Sequence, residues 1–102
     1  MNNIKYTDGI KFLGDNKVSW LITDILAVLS HEPSIKETYE QEGFICIKFV
    51  VDNDTATATY TDGNDKILFT QKYEYTDFNK HFLENKIYFY YTNEVLMLAG
   101  EY

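Results

Sequence analysis

The chain has 102 residues, of which 45% are hydrophobic and 17% aromatic, so it can bury one core without a metal or a disulfide. The length predicts a single domain over residues 1–102, and the net charge of −7, with nine Lys and no Arg, argues against direct binding of DNA or RNA. One cysteine, no signal-peptide pattern and no apolar run long enough to span a bilayer predict a cytoplasmic protein without a membrane segment.

The first third of the chain reads as helix. A short helical turn is predicted around residues 10–13, and a longer amphipathic helix is predicted at about 16–30. The apolar residues of the longer helix recur at helical spacing: Val18, Leu21, Ile22, Ile25, Val28 and Leu29. Pro33 ends this helix, because the residue before a proline avoids the α region. Residues 34–42 are polar and acidic, and we expect a loop with a frayed helical turn there.

After Gly43 the apolar period changes from 3.6 to 2, which predicts strands. Five are expected, at 43–51, 55–61, 66–75, 86–91 and 95–99. The Asp/Asn turns at 52–54 and 62–65 make the first three a meander. The chain is therefore predicted to be an α+β protein, with one helix packed on an antiparallel sheet of about five strands.

No residue pattern indicates catalysis or a bound metal or cofactor. The acidic pairs in the two turns lack the third ligand, the Gly and the distant Glu of a calcium loop. His31 and His81 each have one acid nearby, fewer than the three or four ligands of a zinc site. Cys46, beside Lys48, has no base partner in the sequence and is interpreted as a packing residue. We therefore expect no enzyme activity, no cofactor and no metal.

Trp20 lies off the apolar stripe of the predicted helix, beside Asp24. Large aromatic side chains are mostly buried, which favours a cover formed by Ile4, Tyr6 and Phe12. The alternative is an exposed anchor for a partner, a role in which Trp is enriched.

The acidity is concentrated in residues 31–65, which hold eight acids and two Lys. These acids either bind a basic partner or only keep the protein soluble. On the last long strand Tyr88 and Tyr90 are expected on the solvent face, where tyrosine also suits an interface. The candidate partner-binding residues are Trp20, Asp24, Glu37, Glu40, Glu42, Asp52, Asp54, Asp62, Asp65, Tyr88 and Tyr90.

An ordered set of short motifs covers most of the chain: Tyr6-Thr7-Asp8-Gly9, Trp20-Leu21-Ile22-Thr23-Asp24, Tyr75-Thr76-Asp77-Phe78 and the final Glu101-Tyr102. The set resembles a family of small bacterial and phage proteins of unknown function. Asn93-Glu94 stands where that pattern has Asp-Gly. The resemblance implies no reaction and no functional residues.

In size and acidity the chain also resembles phage-borne anti-CRISPR proteins. That resemblance implies an inhibitor whose partner is a host defence nuclease with a basic surface, specifically a type VI, RNA-targeting effector. A different class remains open, a small enzyme or ligand binder with a site between helix and sheet lined by Tyr73, Tyr75 or Tyr91, with Cys46 or a His nearby. A homodimer formed by the last hairpin across a two-fold axis is a further possibility.

Overall fold

The computed structural model describes residues 4–15, 19–52, 55–74 and 86–101, with no side-chain description for residues 13–15. The helices are α1 (Asp8–Asp15), α2 (Ser19–His31) and α3 (Pro33–Glu42). The strands are β1 (Lys5–Tyr6), β2 (Phe44–Asp52), β3 (Thr55–Thr61), β4 (Ile67–Tyr73), β5 (Lys86–Thr92) and β6 (Val95–Leu98). A 3-10 turn (Ala99–Glu101) follows β6.

The strands form one sheet in the order β1-β6-β5-β2-β3-β4. The α+β class and the meander β2-β3-β4 are confirmed, and the last hairpin joins the sheet on the other side of β2. The sequence predicted about five antiparallel strands, one fewer than the sheet contains. The sixth, β1, is two residues long and pairs parallel to β6, so the sheet is mixed. A strand of two residues is too short to show a period of 2.

The expected loop at 34–42 is wrong, because these residues form α3. Pro33 occupies the first turn, where its missing N–H costs nothing and its fixed φ suits a helix. At the other end Gly43 adopts φ 72°, and its N–H donates to the Tyr39 carbonyl at 2.7 Å. Between them Ile35 is fully buried and Tyr39 is partly buried, so these two side chains anchor the helix to the core.

The other two helices fit the sequence prediction more closely. The helix expected at about 16–30 is α2, and residues 16–18 lie outside the described residues. The single turn expected around residues 10–13 is the eight-residue helix α1. No helix in the described ranges is both long enough and apolar enough to cross a bilayer.

Alternation along β2 divides the molecule into two sides. Ile45, Ile47 and Phe49 have no exposed surface and pack in one core with the buried residues of α2. The helices cover this face and are called the helical layer below. The opposite face of the sheet, called the open face, carries the alternate side chains of β2 and of its neighbours, such as Lys48 and Val50.

A carboxylate near the C-terminal end of the described chain fastens α1 to β6. Oε1 of Glu101 accepts hydrogen bonds from the Thr7 hydroxyl at 2.6 Å and from the Leu98 N–H at 3.0 Å. Oε2 accepts from the Gly9 N–H at 3.3 Å, in the first turn of α1, where backbone donors lack helical partners. These contacts are called the Glu101 clamp below, and those to Thr7 and Gly9 join residues more than 90 positions apart.

Gly9→Ala tests how tightly the clamp is packed. A Cβ on Gly9 would lie 2.6 Å from Oε1 of Glu101 and 2.9 Å from Cδ1 of Leu98, so the clamp must shift. We expect a loss of about 1–3 kcal/mol in the free energy of unfolding, measured with urea. Gly100→Ala is the matched control, because nothing lies within 4 Å of its Cβ position, and it should change stability by less than about 0.5 kcal/mol. Equal losses in the two variants would contradict this account.

The Glu101 clamp also predicts a pH dependence. The Thr7 hydroxyl and the Leu98 and Gly9 N–H groups stabilise the charged carboxylate and lower the pKa of Glu101. The unfolded carboxyl keeps a pKa of about 4.3, so below this pH the unfolded state binds more protons than the folded state. The contribution of Glu101 to stability is therefore complete above the unfolded pKa and is lost as the pH falls through the folded pKa.

Glu101→Gln should consequently be less stable than the wild type at neutral pH, and the two urea midpoints should converge as the pH falls through the lowered folded pKa. Glu74→Gln changes an exposed carboxylate that has no described hydrogen bond, and it should follow the wild type throughout. A constant gap between Glu101→Gln and the wild type at every pH would show that the charge of Glu101 is unimportant.

Candidate functional site

Three of the predicted partner-binding acids lie on α3. Glu37, Glu40 and Glu42 are all exposed. Tyr39 of the same helix attaches it to the sheet, because the Tyr39 hydroxyl accepts a hydrogen bond from the Glu94 N–H at 2.8 Å. The Tyr39 ring also stacks on Tyr91, with centroids 4.4 Å apart. These carboxylates therefore project from a fixed helix and not from the loop that the sequence predicted.

The remaining acids of the middle third are dispersed. Asp52 is exposed at the end of β2, and Asp65 pairs with Lys48 of the open face at 3.5 Å. Asp62 is only 7% exposed, and its Oδ1 accepts hydrogen bonds from the N–H groups of Asn64 at 2.8 Å and Lys66 at 2.9 Å. Asp62 thus builds the β3–β4 turn. Asp54 lies outside the described residues.

Trp20 is half-buried at the junction of α2 with the sheet. Its ring packs edge-on against Phe49, at a centroid distance of 6.2 Å, and against Tyr73, at 5.3 Å. The Tyr73 hydroxyl donates to Oδ2 of Asp24 at 3.1 Å, so Asp24 ties the same helix to β4. Burial raises the pKa of Tyr73, and the negative charge of Asp24 raises it further, so this hydroxyl stays protonated and remains a donor.

Two of the three residues expected to cover Trp20 are largely exposed. Tyr6 is 53% exposed and Phe12 is 60% exposed, whereas Ile4 is partly buried and packs against the core. Phe49 and Tyr73 supply the described ring contacts of Trp20. Tyr73 lies more than 50 positions away in the sequence, on a strand whose place next to α2 no local pattern indicates.

The predicted tyrosines lie on the opposite side from α3. Tyr88 is 37% exposed on the open face, with the ammonium groups of Lys48 and Lys86 each 6.0 Å from its ring centroid. Tyr90 packs against Phe44, with centroids 5.1 Å apart. The candidate residues therefore belong to two surfaces that face away from each other, an acidic helical layer and a Lys- and Tyr-bearing open face.

Cys46 lies on the open face, opposite Thr61 on one side and Tyr90 on the other. Burial raises the pKa of its thiol, whereas a nucleophilic cysteine needs a lowered pKa. Tyr73 and Tyr91 point into the core, so they do not share a site with Cys46, and Tyr75 lies outside the described residues.

Of the two histidines the structure describes one, His31. His31 is exposed at the end of α2, in the helical layer, and His81 lies outside the described residues. Within the described ranges no three His, Cys, Asp or Glu side chains come close enough together to hold a metal ion.

A cleft of about 370 Å³ lies where β6 ends beside β5, and sequence reasoning missed it. The described residues that line it are Lys86, Ile87, Tyr88, Leu98, Ala99, Gly100 and Glu101. The cleft arises because β5 begins at Lys86, whereas β6 pairs with β5 only as far as the Phe89–Leu98 pair. A difference of three residues between two strand lengths gives no signal in composition or periodicity.

Comparison with known families shows to which family the chain belongs. The chain matches, over residues 1–102, the family described as "Family of unknown function (DUF6876)". It belongs to that family. The expected membership in a family of unknown function is thereby confirmed, and the clamp explains two of the quoted motifs, since Thr7 and Gly9 meet Glu101. No curated protein and no solved structure matches the chain.

Trp20→Ala separates the structural role of the indole from a role in binding. The ring is half-buried against two aromatic residues, so we expect a loss of about 2–3 kcal/mol, below the 3–5 kcal/mol typical of a fully buried aromatic side chain. Thr23→Ala, on an exposed position of the same helix, should change stability by less than about 0.5 kcal/mol. Thermal melting measures the stability of both variants. A Trp20→Ala protein with the melting temperature of the wild type would contradict the structural role and favour a role of the ring in binding a partner.

Proposed function

We propose that this protein acts by binding a partner protein through the acidic helical layer. The partner is a nuclease of host defence, most specifically a CRISPR effector of the RNA-targeting type VI class, and the protein inhibits it. Binding occurs at a basic surface that otherwise takes nucleic acid, so that the protein competes with RNA for that surface.

The exposed carboxylates of Glu37, Glu40 and Glu42 carry this proposal. None of the three has an ion-pair partner among the described residues. Residues 19–42 contain five acids and one Lys, so the helical layer is acidic as a whole. A fixed group of unpaired negative charges attracts a positive surface over a distance of about a Debye length and raises the association rate.

The proposed partner has a basic groove that binds RNA, because an acidic surface competes with RNA for such a groove. A groove that binds RNA is lined with Lys and Arg and focuses a positive potential. A small acidic protein enters such a groove without needing a guanidinium group of its own. The anti-CRISPR assignment rests on the resemblance in size and acidity, and the acidic helix adds the surface through which inhibition would work.

Neutralising the three acids of α3 tests the proposal. Wild-type protein and the triple variant Glu37→Gln, Glu40→Gln, Glu42→Gln are titrated against a panel of guide-loaded RNA- and DNA-targeting effectors at physiological salt. We expect the wild type to bind a type VI effector and to suppress cleavage of a reporter RNA. The triple variant should bind about tenfold or more weakly, mainly through a slower association rate.

The matched control removes three acids that lie outside α3 and outside the candidate partner-binding residues: Glu74→Gln, Asp77→Asn and Glu84→Gln. It changes the net charge by the same amount, so a general effect of charge would weaken both proteins equally. Retention of wild-type affinity in the control, together with loss in the α3 variant, supports the proposal. Failure of the wild type to bind any effector of the panel would overturn it.

A further inference from the structure

The cleft beside β5 lies where a longer β6 would continue to pair with β5. On its other side β5 pairs with β2 along its whole length, from Lys86 to Thr92. Towards β6 the pairing stops at Phe89, and the chain leaves the sheet in the 3-10 turn. Within the described residues Lys86, Ile87 and Tyr88 therefore form a free edge in the interior of the strand order, facing a cleft of about 370 Å³.

The direction of the backbone groups on β6 follows from its bonds to the N-terminal segment. The Lys5 N–H donates to the Glu94 carbonyl at 2.9 Å, and the Thr7 N–H donates to the Leu96 carbonyl at 3.2 Å. Backbone groups of successive residues point to opposite sides of a strand. Val95 and Met97 therefore direct their N–H and C=O groups towards β5.

The partners of these residues on β5 are Thr92 and Tyr90, which direct their backbone groups towards β6. By the same alternation Tyr88 and Lys86 direct theirs to that side, where β6 is no longer present. No hydrogen bond of these backbone groups on that side occurs within the described residues. The cleft thus offers two N–H donors and two C=O acceptors at strand spacing.

The side chains around the free edge define what fits there. Ile87, Leu98 and Ala99 make the cleft apolar on the side of the helical layer. On the open face Lys86 has no ion-pair partner within the described residues. Among the described lining residues Glu101 is the one with a carboxylate, and both of its oxygens already accept hydrogen bonds in the clamp.

We propose that this cleft is a strand-addition site, in which an extended peptide segment of a partner protein pairs with the free edge of β5 at Lys86 and Tyr88. The segment carries an apolar residue opposite Ile87, which enters the cleft, and acidic residues on either side of it, which face Lys86. Main-chain bonds supply affinity, and the alternating side chains supply selectivity. The site is distinct from α3, so it does not depend on the proposed function of the helical layer.

The probe for this site is the peptide acetyl-Glu-Val-Glu-Val-Glu-amide, titrated into the full chain and followed by amide chemical shifts. We expect shifts at Lys86 to Tyr88 and at Leu98, and slower hydrogen exchange of the Lys86 and Tyr88 amides. The same peptide N-methylated at its central residue loses a main-chain donor and should bind at least about tenfold more weakly. Acetyl-Lys-Val-Lys-Val-Lys-amide should produce no shifts in this region.

Two variants locate the binding. Lys86→Glu should lose affinity for the acidic peptide and gain affinity for the basic one, whereas Lys72→Glu, which makes the same charge change on β4, should keep the wild-type preference. The triple α3 variant should also keep it, which separates this site from the helical layer. Shifts confined to other residues, unchanged affinity after N-methylation, or no shifts at millimolar peptide would each overturn the proposal.

Discussion

The alternation of side chains along β2 is the constraint on which the structure depends. This strand is paired over seven positions with β3 and over seven with β5, so it has no free edge. Its inward residues Ile45, Ile47 and Phe49 are completely buried. A slip of one residue would exchange these side chains with Cys46 and Lys48, and for this reason the register is strongly determined. The two surfaces, the acidic helical layer and the open face, both follow from this single division.

The departure of the chain from the sheet after Leu98 produces two features at once. Turning away from β5 allows residues 99–101 to carry Glu101 to the first turn of α1, where it closes the clamp. Among the described residues the same turn leaves Lys86 and Tyr88 without a neighbouring strand on the side of β6 and opens the cleft. Had β6 continued for three more residues, the edge of β5 would be covered and α1 would lose its carboxylate. The cleft is therefore coupled to the stability of the N-terminal helix.

The sequence predicted those elements whose pattern is local. The period of 2 located β3 at its true limits and β2 within one residue, because inward and outward side chains differ in polarity along both strands. It missed α3, since Ile35 is the single fully buried residue of that helix, although Pro33 and Gly43 mark its ends. The acids of the candidate site were recognisable by type. Their separation between two faces, and the use of Asp62 within a turn, depend on contacts between strands that no spacing expresses.

The Glu101 clamp has a consequence for how the chain folds during synthesis. The meander of β2, β3 and β4 is made from neighbouring segments, so it can form while translation continues. The first turn of α1, and β1 with it, must wait for β6 and residue 101, because their partners are the last described residues to be synthesised. Helix α1 is therefore fixed later than the meander, although it precedes the meander in the sequence. A protease acting on nascent chains should find residues 4–15 open until residue 101 has been added.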